Sequence, residues 1–311
     1  MIDSSNKDRI IWFKGELIKA TEAKVNILSP TAQYGLNAFE GLRGYWSKEH
    51  NDLFIFRLEE HLKRLKKSCQ ILSITSPYDN KEITEAIIKA LHANTFRCDV
   101  SIRVTLFVDE EGSWSSSNPV NMLVAPIAKP RSDISLENGK KGMISSFERI
   151  NDNSMPPSAK VGANYINSRY AYLEAQSLSF DFPIMLDRKG KVSESSGSCL
   201  MMLQDGVLVT PPNTASIVES ITRNTLLELS KKLNYETEIR SVDKAELYSA
   251  DEIFLCGTAA EIIPITSIDN HKIGNGLTGL FTKKIYKEYL NVVTGSQPNW
   301  LTSVWKISKV C

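Results

Sequence analysis

The sequence predicts two α+β domains, and three observations lead there. Strand signals cluster in the first half around two amphipathic helices. A polar stretch, Ala128–Asn138, carries Lys129-Pro130-Arg131-Ser132 and interrupts the pattern. Strands and helices then mix through the remainder, as an α+β unit requires. The expected division is a small domain over 1–127, a linker over 128–138 and a large domain over 139–311.

Each element has its own signal. Ile10–Phe13 reads as a strand that meets a Lys14-Gly15-Glu16 turn. Leu53–Arg57 is a second strand. In Glu59–Leu72, the residues Leu62, Leu65, Cys69 and Leu72 recur at helical spacing and mark one buried face. The basic run Lys63, Arg64, Lys66 and Lys67 on that helix reads as a solvated face. Lys81–Asn94 is a second amphipathic helix, with Ile83, Ile87, Ile88 and Leu91 inward. Val100–Val108 and Val120–Ile127 are β-branched strands. They are joined by the polar loop Asp109–Pro119 with its single Trp114, long enough to suggest a role in function. In the second half a strand is expected at Met143–Phe147 and a helix at Asn167–Ser177. A hairpin follows, from Ile184–Leu186 through Asp187-Arg188-Lys189-Gly190 to Val192. Thr222–Leu233 is a helix, and Glu252–Cys256 a strand leading into Gly257-Thr258-Ala259-Ala260.

Composition excludes several function classes. Lys+Arg number 37 and Asp+Glu 36, so the net charge of +1 gives no basis for holding nucleic acid. The five Cys are scattered without a CxxC pair, which argues against a disulfide framework or a zinc site. The four His lack metal-ligand spacing, so no metal is expected. No apolar run spans a bilayer and the first eight residues hold no signal core, so a cytoplasmic setting is expected.

Six ordered segments carry a resemblance. Tyr34-Gly35-Leu36-Asn37-Ala38-Phe39-Glu40-Gly41-Leu42-Arg43-Gly44-Tyr45 comes first, then Phe56-Arg57-Leu58-Glu59-Glu60-His61-Leu62-Lys63-Arg64-Leu65. Pro156–Ser168 contains Ser158-Ala159-Lys160-Val161-Gly162-Ala163-Asn164-Tyr165, and Leu186–Ser198 contains Val192-Ser193-Glu194-Ser195-Ser196-Gly197-Ser198. Ile221-Thr222-Arg223 and Gly257-Thr258-Ala259-Ala260-Glu261-Ile262 complete the set. In this order they resemble the branched-chain amino-acid aminotransferases of the class IV family. These are fold-type-IV enzymes dependent on pyridoxal 5'-phosphate, sharing the D-amino-acid aminotransferase-like fold.

The resemblance implies a role for each residue. Lys160 is the Schiff-base lysine and proton shuttle. Glu194 faces the pyridine nitrogen and Tyr165 the phenolic oxygen, while Arg57, Ile221, Thr222 and Thr258 hold the phosphate. Thr258 and Ala259 offer amides to the substrate carboxylate. Tyr34, Phe39, Gly41 and Arg43 shape the side-chain pocket, and Arg103 meets the distal carboxylate of glutamate. The implied substrates are an L-amino acid with a branched or similar apolar side chain and 2-oxoglutarate. The implied assembly is a homodimer or larger homo-oligomer, with the cofactor between the domains. The chemistry suits these residue types. A carboxylate at the ring nitrogen keeps it charged so that the ring accepts carbanion electrons, and a helix N-terminus receives phosphate. Small neighbours of Lys160 would let a cofactor approach closely. Taken singly, each residue also has an ordinary reading: a surface lysine, a hairpin carboxylate, an N-cap, a strand-end threonine.

The chain departs from the family pattern at several places. Ser101 stands where an aromatic hydroxyl is expected, Ile127 where an aromatic lines the pocket, and Ser220 where a glycine precedes Ile221. Gly197-Ser198-Cys199 is unusual, and the Asp109–Pro119 loop is not glycine-rich. Ser101, Ile127 and the loop bear on substrate choice and leave room for a non-branched donor in a specialised pathway. Rival readings are a D-amino-acid transaminase, an aminodeoxychorismate lyase-like enzyme, and a non-catalytic cofactor- or dinucleotide-binding module. The last rests on the GxGxxG match Gly274-Asn275-Gly276-Leu277-Thr278-Gly279, which lacks a convincing preceding strand.

Overall fold

The computed structural model describes residues 8–131, 139–297, 300 and 304–310. They fall into two units. The first takes in the described residues up to 131, together with 159–163 and those from 292 onward. The second comprises 139–158 and 164–291.

The first unit begins with β1 (Ile10–Phe13) and β2 (Glu16–Lys19), paired across the expected Lys14-Gly15 turn. A short helix α1 (Pro30–Tyr34) starts on Ser29, whose Oγ accepts from Ala32 N, and stops at Gly35 in the left-handed region (φ 71°). Then come β3 (Asn37–Ser47), β4 (Asp52–Phe56), α2 (Leu58–Ile71), α3 (Asn80–Asn94), β5 (Val100–Val108) and β6 (Val120–Ala128). α3 opens on a reciprocal capping box between Asp79 and Glu82.

The second unit contains β7 (Lys140–Ile144), α4 (Tyr165–Ser177), β8 (Phe182–Leu186), β9 (Val192–Ser195), β10 (Cys199–Gln204) and β11 (Val207–Thr210). These are followed by α5 (Ile221–Lys232), β12 (Thr237–Ile239), α6 (Glu246–Ser249), β13 (Glu252–Gly257), β14 (Glu261–Ile268), β15 (His271–Lys272) and α7 (Leu280–Val293). β16 (Val304–Lys306) returns to the first unit and pairs with β4.

The first sheet runs β16-β4-β3-β5-β6-β1-β2. One of its faces carries Ala38, Leu42, Ile102, Val104, Met122 and Val124, which are buried with Leu62, Leu65, Ile83, Ile87 and Leu91 of the two helices. The second sheet runs β12-β11-β10-β13-β14-β7-β8-β9, and an extra β9–β10 pairing closes six of its strands on themselves. Closure removes the edges that those strands would otherwise expose.

Several readings change. β3 is a strand of eleven residues, unrecognised in the sequence because Glu40, Gly41, Arg43 and Gly44 break the apolar alternation. The strand expected at Met143–Phe147 lies at Lys140–Ile144, pairing in parallel with β8 and β14. Of the expected linker 128–138, residues 132–138 lie outside the described residues, and Ala128 still belongs to β6. A division at 128–138 also assigns Lys160 to the second half, whereas its contacts put residues 159–163 in the first unit.

The basic run of α2 is not uniformly solvated. Lys63, Lys66 and Lys67 are exposed, but Arg64 turns inward. Its Nε and Nη2 donate to the carboxylate of Glu40 at 2.7 and 2.8 Å. His61 Nδ1 lies 2.7 Å from the same carboxylate. Glu40 is fully buried, and the Arg64 guanidinium with the His61 imidazole overcomes the cost of burial and holds its carboxyl well below the ordinary 4.5. The ionised carboxylate can only accept, so the His61 proton sits on Nδ1. Burial in turn lowers the pKa of His61 below its ordinary 6.5.

Both shifts are downward, so the unfolded chain binds protons that the folded one refuses. Stability is therefore expected to decline as pH falls below 6.5 through His61, and again below 4.5 through Glu40. Urea midpoints measured from pH 8 to pH 4 test this; His61→Gln should shrink the first decline. Ile87→Ala, at a fully buried α3 position, should cost about 2–5 kcal/mol in the same assay.

Candidate active site

In the first unit the main chain of Lys160 is bound on both sides. Phe39 N donates to Lys160 O at 3.0 Å, and Lys160 N donates to Ser68 Oγ at 3.0 Å. An isolated bridge joins Ala38 to Val161, and Gly162 N donates to Asn37 O at 3.1 Å. The segment thus lies along the start of β3. Lys160 Nζ is 5.0 Å from the centre of the Phe39 ring, and the Arg103 guanidinium carbon is 4.2 Å from the same ring. The small residues around Lys160 have a packing cause. A Cβ on Gly162 would come within 2.8 Å of the Asn37 amide, whereas Gly35 is set by its left-handed φ of 71° and packs against Ala163 at ordinary contact distance. Close approach by a cofactor is not needed to explain Gly162.

β3, β5 and β6 stand in register, so three cross-strand rungs share the sheet face opposite α2 and α3. They are Phe39–Thr105–Leu123, Gly41–Arg103–Ala125 and Arg43–Ser101–Ile127. Four residues assigned to substrate from the sequence therefore lie on one face: Phe39, Gly41, Arg43 and Arg103. A Cβ on Gly41 would meet no atom within 4 Å, so this glycine leaves space that no described residue fills. Arg43 is buried, with Nη1 on Lys129 O at 2.9 Å and Nη2 on Pro130 O at 3.3 Å, so it ties down the end of β6. Tyr34 is half exposed at the end of α1. Arg57 caps α2 in the left-handed region (φ 51°), and its guanidinium lies 5.3 Å from the Trp300 ring. Trp300 was not singled out from the sequence.

In the second unit Glu194 is buried in β9. Arg149 Nε donates to its Oε1 at 2.9 Å, and Val218 N reaches both oxygens at 3.3 and 3.4 Å. Arg149 is itself buried and reaches Asn167 Oδ1 from Nη1 at 3.1 Å. Sequence reasoning missed it; the available signal was that a glutamate in a buried strand needs a cation.

Ile221 and Thr222 are the first two residues of α5. Ser220 caps that helix, its Oγ accepting from Arg223 N at 3.2 Å and its carbonyl from Asn224 N at 3.1 Å. A serine thus does at this position what a glycine cannot. The N–H groups of Ile221 and Thr222 have no partner among the described residues. The buried Arg223 guanidinium meets Thr210 Oγ1, Pro211 O and Asn224 Oδ1, all uncharged, so its positive charge remains at this end of the helix. Thr258 and Ala259 form the turn between β13 and β14, where Gly257 pairs with Glu261. Tyr165 is the first residue of α4 and half-buried. A paired carboxylate, a cationic helix start with two open amides and a threonine turn form a donor set suited to a phosphorylated, nitrogen-containing ring.

The GxGxxG loop has a different purpose. Glu252 accepts from Phe281 N at 3.0 Å and Thr282 N at 2.8 Å at the start of α7. A Cβ on Gly279 would overlap the Glu252 carboxyl. A carboxylate already occupies the helix start that a pyrophosphate would need, and the dinucleotide-binding reading is set aside.

Comparison with known proteins accords with this geometry. Residues 37–268 match the model of the amino-transferase class IV family, and the chain belongs to that family. The protein is an aminotransferase. Within the family its similarity is to branched-chain aminotransferases over nearly full length. It is 36% identical to that of Pseudomonas aeruginosa over 96% of this chain and 99% of the relative. It is 34% identical to that of Escherichia coli over 97% and 99%. Its fold superposes on the holo, PLP-form crystal structure of the Thermobaculum terrenum enzyme with a TM-score of 0.91, at 34% identity and with 97% and 99% of the two chains covered.

Arg149→Met should leave the buried Glu194 without its cation and destabilise the protein by about 3 kcal/mol or more. Combined with Glu194→Gln, the loss should be smaller than the sum of the two single losses, as a double-mutant cycle on urea midpoints would measure.

Proposed function

We propose that this aminotransferase moves the amino group of an L-amino acid with a branched or similar apolar side chain to 2-oxoglutarate, using pyridoxal 5'-phosphate attached to Lys160. The observation that carries the reading is Lys160 pinned along β3, with its Nζ and the Arg103 guanidinium on one aromatic ring beside the open ground at Gly41. The cofactor supplies an aldehyde that condenses with amines and a ring that accepts carbanion electrons. Lys160 would hold that aldehyde, and its amine would take and return the proton of the donor's α-carbon. Glu194, paired with Arg149, keeps negative charge at the ring nitrogen. Tyr165 serves the phenolic oxygen. The open amides of Ile221 and Thr222, with Thr258 and Arg57, bind the phosphate, and the amides of Thr258 and Ala259 take the substrate carboxylate. Phe39, Gly41, Tyr34 and Arg43 bound the space for an apolar side chain, and Arg103 reads the distal carboxylate of 2-oxoglutarate.

A homo-oligomer belongs to the same proposal. Ile166, Tyr170 and Leu173 share one exposed face of α4, and Trp114 is 72% exposed on the Asp109–Pro119 loop. Among the described residues no helix is long and apolar enough to cross a membrane, which accords with a cytoplasmic setting. Ser101 and Ile127, partners on the Arg43 rung, bring a non-branched donor into the test.

The test is a visible absorbance scan of wild type and Lys160→Ala, with L-leucine and then 2-oxoglutarate added. Wild type should be yellow, lose its band with leucine and regain it with 2-oxoglutarate; Lys160→Ala should lose turnover by at least 10²–10⁴-fold, on the order typical of a general base. Indifference to leucine but response to another L-amino acid would move the donor. Response to D-amino acids, or pyruvate release without an acceptor, would overturn the reaction assigned. Arg103→Ala should raise KM for 2-oxoglutarate roughly 10–100-fold, the worth of a charge-assisted hydrogen bond, and leave the leucine half-reaction intact.

A further inference from the structure

We infer that Ser68 and the buried Glu40–His61–Arg64 cluster are positioning residues for Lys160; the inference rests on Lys160 being the cofactor-bearing lysine. Ser68 is fully buried on α2. Its hydroxyl donates to Arg64 O at 2.9 Å, one turn earlier, and accepts from Lys160 N at 3.0 Å. A hydroxyl has one proton, so donation to Arg64 O fixes its lone pairs toward the lysine amide. The other side of Lys160 is held by β3, where Phe39 N donates to Lys160 O and the Phe39 ring lies beneath Nζ. Glu40 follows Phe39 in the chain and points to the opposite sheet face, where Arg64 grips it with two N–H groups and His61 with one. The two elements that bind the lysine main chain, β3 and α2, are therefore locked to each other by one buried carboxylate. Apolar packing alone holds a helix on a sheet but leaves it free to slide by fractions of an ångström. A two-pronged guanidinium–carboxylate pair removes that freedom because its directions are fixed. Arg64 supplies both the guanidinium in that pair and the carbonyl that orients Ser68.

The experiment uses holoenzyme of wild type, Ser68→Ala, Glu40→Gln and the destabilised control Ile87→Ala. Borohydride reduction and peptide mapping locate the attached cofactor. The single-turnover rate at saturating L-leucine (or whichever L-amino acid the wild type accepts), the KM and the thermal midpoint are then compared. The expected result is cofactor on Lys160 throughout, a single-turnover rate about tenfold lower in Ser68→Ala and at least as low in Glu40→Gln, and KM within about twofold of wild type; one lost hydrogen bond is worth that order. Ile87→Ala should lower the midpoint and keep the wild-type rate. If Ser68→Ala keeps the wild-type rate and only melts earlier, the residues are structural and the inference is overturned. Should Glu40→Gln fail to fold, Ser68→Ala decides alone. Cofactor trapped on another lysine would overturn the functional reading itself, an outcome distinct from an unaffected rate with cofactor on Lys160.

Discussion

A carboxylate cannot be buried without cations and donors to meet it, and the first unit is arranged around that constraint at Glu40. His61, Arg64 and Ser68 follow one another at three and four residues along α2, so they share a helix face. The first two meet the carboxylate and the third meets the lysine amide. Leu58, Leu62, Leu65 and Cys69 bury the adjacent stripe against the sheet. The rotation of the helix about its axis is thus fixed twice, by apolar burial and by directional bonds, and the two agree. Such agreement between levels is what lets a sequence specify one structure.

The second unit meets the same constraint at Glu194 with a different solution. Its guanidinium comes from Arg149, 45 residues earlier, after β7. The two carboxylates differ in surroundings. Glu40 is enclosed on the helix-covered face of its sheet, among aliphatic side chains. Glu194 lies in β9 beside Cys199 of β10 and the Val218 amide, in the strand pair that closes the six-stranded ring. A buried carboxylate that only braces a fold needs no more than its partners. Glu194 shares its unit with the helix start at Ile221 and the Thr258 turn.

What was legible in the sequence was local. The faces of α2 and α3, the β5 and β6 strands and the β8–β9 hairpin follow from periodicity and turn residues within a few positions. What was not legible depended on partners far away. β3 looks unlike a strand because Glu40 and Arg43 are charged, and their partners His61, Arg64, Lys129 and Pro130 lie 21 to 87 positions away. Arg64 reads in the sequence as one more surface cation, and its partner Glu40 lies 24 positions away. Arg149 carried no motif. The candidate site was legible as a set of ordered segments, but its register was not: that Gly41, Arg103 and Ala125 form one rung follows from strand pairing, which no sequence window reports.

The small residues around Lys160 have a packing origin beside the one their sequence suggests. Ala159, Gly162 and Ala163 suggest space for a bulky group, yet Gly162 is small because Asn37 lies against it. The segment must fit against β3 before it can present a side chain. Residues 159–163 belong with the first unit, while Ser158 and Asn164 on either side belong with the second. The lysine is therefore carried on five residues that the chain inserts into a unit it has otherwise left. An excursion that short has few side chains with which to anchor itself. Main-chain bonds to Asn37, Phe39 and Ser68 do that work, and the Lys160 side chain lies over the Phe39 ring.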